Sequence, residues 1–360
     1  MNIPIAKPYI GEEEKRAVLD VLDSGLLVQG KYVEEFEQAF AGYHGAQHGI
    51  AMSNGTTALM ASLMAHGVGS GDEVIIPSFS FFATASSVLS VGAHPVFADI
   101  DPDTFCMSPD SAEEAITPRT VALMPVHLYG HPADMPRFEE ICRRKGLLLL
   151  EDAAQAHGAA IGSRCAGTWG TASFSFYPSK NMTTAEGGMV LTNDDEIARR
   201  LRMIRNQGMS QQYLHEVIGY NFRMTNIAAA IGLAQFNRLD YWNLQRQRNA
   251  QYFNNHLRRV KTPCVRPEMT HVYHQYTIRF SNGINRDEAL KKLNERGIGA
   301  RVYYPMPIHR QPVFQAMAGY QDLNLPETEK ATLQVLSLPV HPALTPEELA
   351  YIVQEVNELC

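Results

Sequence analysis

The sequence predicts an α/β protein: a large domain on a mainly parallel sheet, followed by a smaller α+β domain. Three observations carry that expectation. Short apolar runs of strand length recur through the first half of the chain, helical segments fill the gaps, and the alternation loosens beyond residue 240. Apolar strands separated by helices mark a parallel sheet covered on both faces. The chain has 360 residues, 45% hydrophobic and 19% charged, which is ordinary globular composition and room for two domains. Its net charge of −7 leaves no broad basic footprint and argues against nucleic acid as a main partner.

In chain order, an N-terminal arm precedes the main sheet. Glu73–Ile76, Val96–Asp99, Val121–Val126, Leu147–Leu150, Ser173–Phe176 and Met189–Thr192 read as strands. Helices are expected over 56–66, 80–91, 134–145 and 194–206. Asp110 or Ser111, with Glu113 and Glu114 behind it, reads as a capped helix start. Leu244–Arg259 is a long polar helix, and Tyr276–Phe280, Arg286–Glu295 and Ile298–Tyr304 then read as strand, helix, strand. The expected domains are 1–245 and 246–360.

The opening MNIPIAKPYIGEEEKRAV lacks the apolar core of a secretory signal, and no apolar stretch approaches the ~18 residues of a membrane span. A cytoplasmic protein without membrane contact is expected. The five cysteines, Cys106, Cys142, Cys165, Cys264 and Cys360, are scattered and form no C-x-x-C, so free thiols and no metal site are expected.

Three constellations look like chemistry. Ser53-Asn54-Gly55-Thr56-Thr57 opens a helical pattern with hydroxyls, which suits a phosphate or a plain N-cap. Leu147–Leu150 runs into Glu151 and Asp152, at the strand end where open α/β sheets bind ligands; a helix cap or surface carboxylate is the alternative. Phe174-Ser175-Phe176-Tyr177-Pro178-Ser179-Lys180 ends a strand and sets a lysine on a loop, with Gly187-Gly188 close behind. Taken alone, such a lysine is a solvated charge. Together the three fit a ligand with a phosphate, a ring nitrogen that wants an anion and an aldehyde for a lysine. Pyridoxal 5′-phosphate has all three.

GLLVQGKYVEEFE, SNGTTAL, GDEVIIPSFSFFATA, VHLYG, EDAAQAHGA, FSFYPSKNMTTAEGGM and GYNFRMTNIAAAIG occur in this order. On these segments the chain resembles the DegT/DnrJ/EryC1/StrS family of pyridoxal-phosphate-dependent sugar aminotransferases, most of all its perosamine-synthase-type members. The resemblance implies the type I aminotransferase fold. It implies that Lys180 is the Schiff-base lysine, that Asp152 meets the pyridinium nitrogen and that Phe81 stacks on the ring. Gln155 would contact the phenolic oxygen, Thr56, Thr57 and Ser175 the phosphate, and Asn221 the phosphate of a neighbouring subunit. Tyr304 and His309 match a stretch near the sugar pocket.

The same resemblance implies L-glutamate as donor, a nucleotide-diphosphate-linked keto sugar, 4-keto rather than 3-keto, as acceptor, and a homodimer or dimer of dimers. The runner-up is a cyclitol ketone or other non-nucleotide acceptor. A sugar dehydratase of the family would have histidine where Lys180 stands, and a regulatory paralogue would lack Lys180 or Asp152. A nicotinamide enzyme would want a G-x-G-x-x-G turn, and none is found. His127 could touch substrate or be a satisfied core histidine. Arg199, Arg200, Arg202 and Arg205 form either a solvated helix face or an anion site. Arg223, Arg301, His309 and Arg310 are further cationic candidates for the acceptor.

Overall fold

A computed structural model describes residues 1–280 and 284–359; Cys360 lies outside the described residues. Two helices come first, α1 (Glu12–Ser24) and α2 (Lys31–His44). Then follow β1 (His48–Met52), α3 (Gly55–Ala65), β2 (Glu73–Pro77), α4 (Ala83–Ser90), β3 (His94–Ala98), α5 (Pro109–Glu114), β4 (Thr120–Leu123), α6 (Met135–Lys145) and β5 (Leu148–Asp152). After the short pair β6 (Ala160–Ile161) and β7 (Arg164–Cys165) come β8 (Thr171–Ser175), β9 (Gly188–Thr192) and α7 (Asp195–Arg205).

The main sheet has seven strands in the order β1-β9-β8-β5-β4-β2-β3. From β8 to β3 the pairings are parallel, and β9 is antiparallel to both of its neighbours. The reason lies in the connection. Segment 176–187 contains no helix, and a parallel return needs a crossover, so the chain doubles back. β1 was not foreseen, because a five-residue HGIAM run interrupted by glycine carries little periodicity. The first-predicted cap also moves: Ser108, not Asp110 or Ser111, accepts from the Ser111 N–H at the start of α5.

The hairpin β10 (Met209–Gln211) and β11 (Leu214–His215) leads to α8 (Asn226–Phe236) and α9 (Leu239–His256). Beyond lie β12 (Val260–Lys261), β13 (Met269–Thr270), β14 (Tyr276–Phe280), α10 (Arg286–Glu295), α11 (Pro312–Gln315), α12 (Pro326–Gln334), β15 (Val335–Leu338) and α13 (Pro346–Leu359). A second sheet runs β12-β14-β15. Ile298–Tyr304 is not the strand expected there. Among the described residues it makes isolated bridges, Ile298 with Ile3 of the arm and Arg301 with Ser337 of β15, and β15 takes its place in the sheet.

Two features join the parts. Residues 245 and 246 fall inside α9, whose Trp242 packs in one core with Phe40 and Phe174, and whose Ala250 and Phe253 pack in another with Tyr276 and Ile352. Ile3 belongs to this second core: it is fully buried, its N–H donates to Gly297 O at 2.8 Å, and its carbonyl accepts from Gly299 N at 2.7 Å. Ile3→Ala should therefore cost about 2–4 kcal/mol, as expected for a buried isoleucine truncated to alanine. The denaturation midpoint of the variant measures this, and an unchanged midpoint would show the arm to be dispensable.

Candidate active site

β5 ends on two adjacent carboxylates, and successive strand residues point to opposite faces. Their fates differ accordingly. Glu151 is saturated. Its oxygens accept from the N–H groups of Gly167 (2.8 Å), Trp169 (2.8 Å) and Gly170 (2.9 Å) and from His127 Nε2 (2.9 Å). Burial pushes its pKa up, but the His127 hydrogen bond and the backbone donors outweigh that and hold it below the usual range. His127 Nδ1 accepts from Ala133 N at 3.0 Å, so both ring nitrogens are used: this is the satisfied core histidine.

Asp152 is buried with far less support. Oδ2 accepts from Thr84 Oγ1 at 2.7 Å, itself in contact with Ser80, and among the described residues Oδ1 accepts only from Ala154 N at 3.2 Å. Desolvation raises its pKa despite these bonds and the nearby charge of Lys180. A carboxylate so placed has capacity left for a cationic N–H. Thr84 was not anticipated; its only signal is its place in the FFATA segment that follows Phe81.

Lys180 stands on the loop between β8 and β9 and is half-buried; its backbone N–H donates to Tyr177 O at 2.8 Å. Desolvation pulls its amine down to about 8, with Asp152 opposing. Near neutral pH roughly a tenth is uncharged and nucleophilic, far more than for an ordinary lysine.

The third component is the start of α3. Asn54 caps it, accepting from Thr57 N at 2.9 Å. Thr57 returns the favour through its hydroxyl, which accepts from Asn54 N at 3.2 Å and donates to Asn54 O at 2.9 Å. The expectation of Thr57 as a phosphate ligand is thus corrected: its hydroxyl builds the cap. The N–H groups of Gly55 and Thr56 have no partner among the described residues, and Thr56 keeps its hydroxyl free. Gly55 lets Ser175 approach; a Cβ there would sit 2.7 Å from Ser175 Cβ. Thr56 and Ser175 therefore flank one small cradle of donors at the positive end of a helix, fit for a phosphate. With Lys180 and Asp152, the residues present fit pyridoxal phosphate.

Gln155 is buried, accepting from Tyr129 N at 2.7 Å and donating to the Tyr304 hydroxyl at 3.3 Å. Phe81 is 58% exposed, with its ring 6.2 Å from that of Tyr304; a core phenylalanine would be covered. These residues share the neighbourhood of Asp152. His309 does not open to solvent: it is fully buried, with Nδ1 2.7 Å from Ser78 Oγ and Nε2 3.3 Å from Glu329. It holds the PSFSFF loop rather than facing a ligand, which corrects its expected substrate contact. Arg310 likewise spends its guanidinium on Glu329 and on the carbonyls of Gln321 and Leu323. Arg301 is exposed and bonds Asn294. Asn221 is exposed, just before α8.

In the basic run, Arg205 is buried against Glu37 and the Ala51 carbonyl, Arg199 pairs with Glu196, and Arg200 reaches Met64 O. Arg202 is exposed. Arg199, Arg202 and Arg205, with Arg223 held by Asn206 at 2.6 Å, line a surface groove of ≈ 610 Å³ that also includes Val28 and Gln29, whereas Arg200 stands outside it.

Among known proteins, the chain is 44% identical to the pleiotropic regulatory protein of Geobacillus stearothermophilus (99% of this chain, 98% of that one). It is 41% identical to GDP-perosamine synthase of Caulobacter vibrioides (99% and 98%). It is 43% identical to UDP-N-acetyl-3-dehydro-alpha-D-glucosamine 3-aminotransferase of Acidithiobacillus ferrooxidans (92% and 89%). The crystal structure of S. venezuelae DesV in complex with a ketimine intermediate superposes with a TM-score of 0.91 at 40% identity, over 96% of this chain and 94% of that one. The profile of the DegT/DnrJ/EryC1/StrS aminotransferase family matches residues 8–357, and the chain belongs to that family.

Proposed function

We propose that the protein is a pyridoxal-phosphate-dependent aminotransferase that moves an amino group from L-glutamate to a nucleotide-diphosphate-linked 4-keto sugar. One observation carries the reading. A lysine with a depressed pKa and a buried, under-partnered aspartate sense each other's charge at the carboxyl end of the central strands, and Ser175 of the adjacent β8 borders a phosphate cradle.

Asp152 would hold the cofactor's ring nitrogen, Lys180 its aldehyde carbon, Thr56 and Ser175 its phosphate, and Phe81 and Gln155 its ring. Bound there, the cofactor supplies an electron-withdrawing ring that stabilises negative charge on the reacting carbon. The chain's part is proton handling and orientation. Lys180 Nζ takes a proton from the donor's α-carbon and returns one to the acceptor, which its lowered pKa permits at neutral pH. Asp152 keeps a proton at the ring nitrogen, and Thr84 fixes the carboxylate that does so.

For the acceptor, the groove with Arg202 and Arg223 offers guanidinium groups of the kind that clamp a diphosphate. Binding far from the reacting carbon then positions it. The working unit is a homodimer or a dimer of dimers. Leu26, Val28 and Ile218 are 69%, 71% and 78% exposed, and apolar surface of that kind invites a second copy. No helix among the described residues is long and apolar enough to cross a membrane, in keeping with a cytoplasmic enzyme.

The deciding experiment is a half-reaction. The protein is converted to its amine form with glutamate, candidate ketones are added, and recovery of the original visible spectrum is timed. A nucleotide-linked 4-keto sugar should restore it fastest. A faster 3-keto nucleotide sugar would move the regiochemistry, and a faster free cyclitol ketone would defeat the acceptor class.

The neighbouring carboxylates should separate in mutants. Asp152→Asn should keep its fold and lose activity by about 10²–10⁴-fold, the worth of a proton-handling side chain. Glu151→Gln should lose stability, by about 2–5 kcal/mol, because an amide set against backbone donors leaves buried groups unpaired. Denaturation midpoints and rates read both, and the reverse pattern would reassign the two residues. Borohydride should fix the cofactor to Lys180, and uptake by cofactor-free protein should quicken with pH about a midpoint of 8, since only the neutral amine reacts. Mixing Lys180→Ala with Asn221→Ala subunits should restore activity above either parent if Asn221 serves its neighbour. No gain on mixing would place Asn221 in its own subunit's site.

A further inference from the structure

Lys180 also lines a cavity of ≈ 560 Å³ between the N-terminal arm, the Pro178–Lys180 loop, α9 and Pro342. Its wall carries four cationic side chains, Lys7, Lys180, Arg238 and Arg246, and no carboxylate, on a chain of net charge −7. Arg238 is already neutralised by Glu13 at 2.9 Å. Arg246 is not. It is 5% exposed, and among the described residues no acid lies within ion-pair distance of it. Nη1 donates to the carbonyls of Tyr273 (3.2 Å) and His274 (3.4 Å), and Nε has no partner. Burial alone pulls this guanidinium down to about 10. Its neighbours His157, His274 and His341 are themselves kept neutral by burial and supply no counter-charge.

A buried cation without an anion is costly, and structures normally pair it. We infer that the anion comes from outside: Arg246 binds a carboxylate of the small amino-dicarboxylate donor and of its oxo-acid product, with Lys7 at the cavity rim. This rests on the aminotransferase reading above and names the donor's subsite within it. The geometry separates two substrates that share one lysine. The donor's carboxylate enters on the α9 side, while the guanidinium groups around Arg202 and Arg223 lie in a different groove. Arginine suits the task because its planar fork matches a carboxylate and stays charged even when depressed to about 10.

Trp242 stands in the cavity wall and is one of two tryptophans in the chain, so its fluorescence reports occupancy. The other, Trp169, lies under Arg164 at 3.7 Å. The cofactor-loaded protein is titrated with glutarate, a dicarboxylate that cannot donate an amine. The expected result is saturable quenching in the wild type, weakened by about 10–100-fold in Arg246→Gln, the worth of charge-assisted hydrogen bonds, and partly recovered in Arg246→Lys. The KM for glutamate should rise in parallel, while the sugar half-reaction of pre-formed amine enzyme keeps its KM. Unchanged glutarate affinity in Arg246→Gln, or equal damage to both half-reactions, overturns the assignment. If that variant does not fold, a crystal of the wild type with glutarate decides. A carboxylate on Arg246 supports the assignment; glutarate elsewhere or absent refutes it. Failure here with glutamate still yielding the amine form removes only the subsite. Failure of glutamate to yield it removes the aminotransferase reading itself.

Discussion

The carboxylate of Glu151 is the joint on which the site is hung. Three backbone N–H groups from 167–170 and one imidazole converge on it, and its side chain is fully buried. Those contacts fix the turn that delivers the chain into β8, and β8 leads to Ser175 and then Lys180. Through His127 they also reach Ala133, at the entry to α6. Because the anion is satisfied four times over, its burial is tolerable. The next residue, Asp152, shares the strand but not the support. One strand end thus supplies a rigid anchor on one face and an unfinished electrostatic site on the other.

A second constraint is closeness of backbone. The α3 terminus, the end of β8 and the start of β9 meet where side chains would not fit. A Cβ on Gly188 would lie 2.3 Å from Asn54 O, and one on Gly55 would strike Ser175. Small residues at these contacts bring helix N–H groups and a strand hydroxyl onto one point. The cap by Asn54 and Thr57 then settles which donors remain for a ligand.

Much of this was legible in the sequence because the chemistry is conspicuous. A lysine after a strand-ending proline, paired acids after an apolar run, and hydroxyls at a helix start stand out against their surroundings. What could not be read depends on tertiary neighbours. Nothing local says that β9 runs backwards or that β15 displaces Ile298–Tyr304 from the second sheet. Thr57 and His309 were chosen by type and motif, and their partners, Asn54, Ser78 and Glu329, absorb them. Arg246 was hidden in a polar helix of ordinary appearance, and what sets it apart is that no acid among the described residues pairs with it in space.

The docking of Ile3 against Gly297 and Gly299 has a consequence during synthesis. Ile3 is made almost 300 residues before the Gly297–Gly299 seat that it docks on. At translation speeds of ~5–20 residues per second the interval is roughly 15–60 s. Through that time the large sheet can form and the arm must wait beside it, unpaired. The N-terminal segment thus docks together with the C-terminal elements of its core, Leu336, Ile352 and Val356 among them, long after it is made.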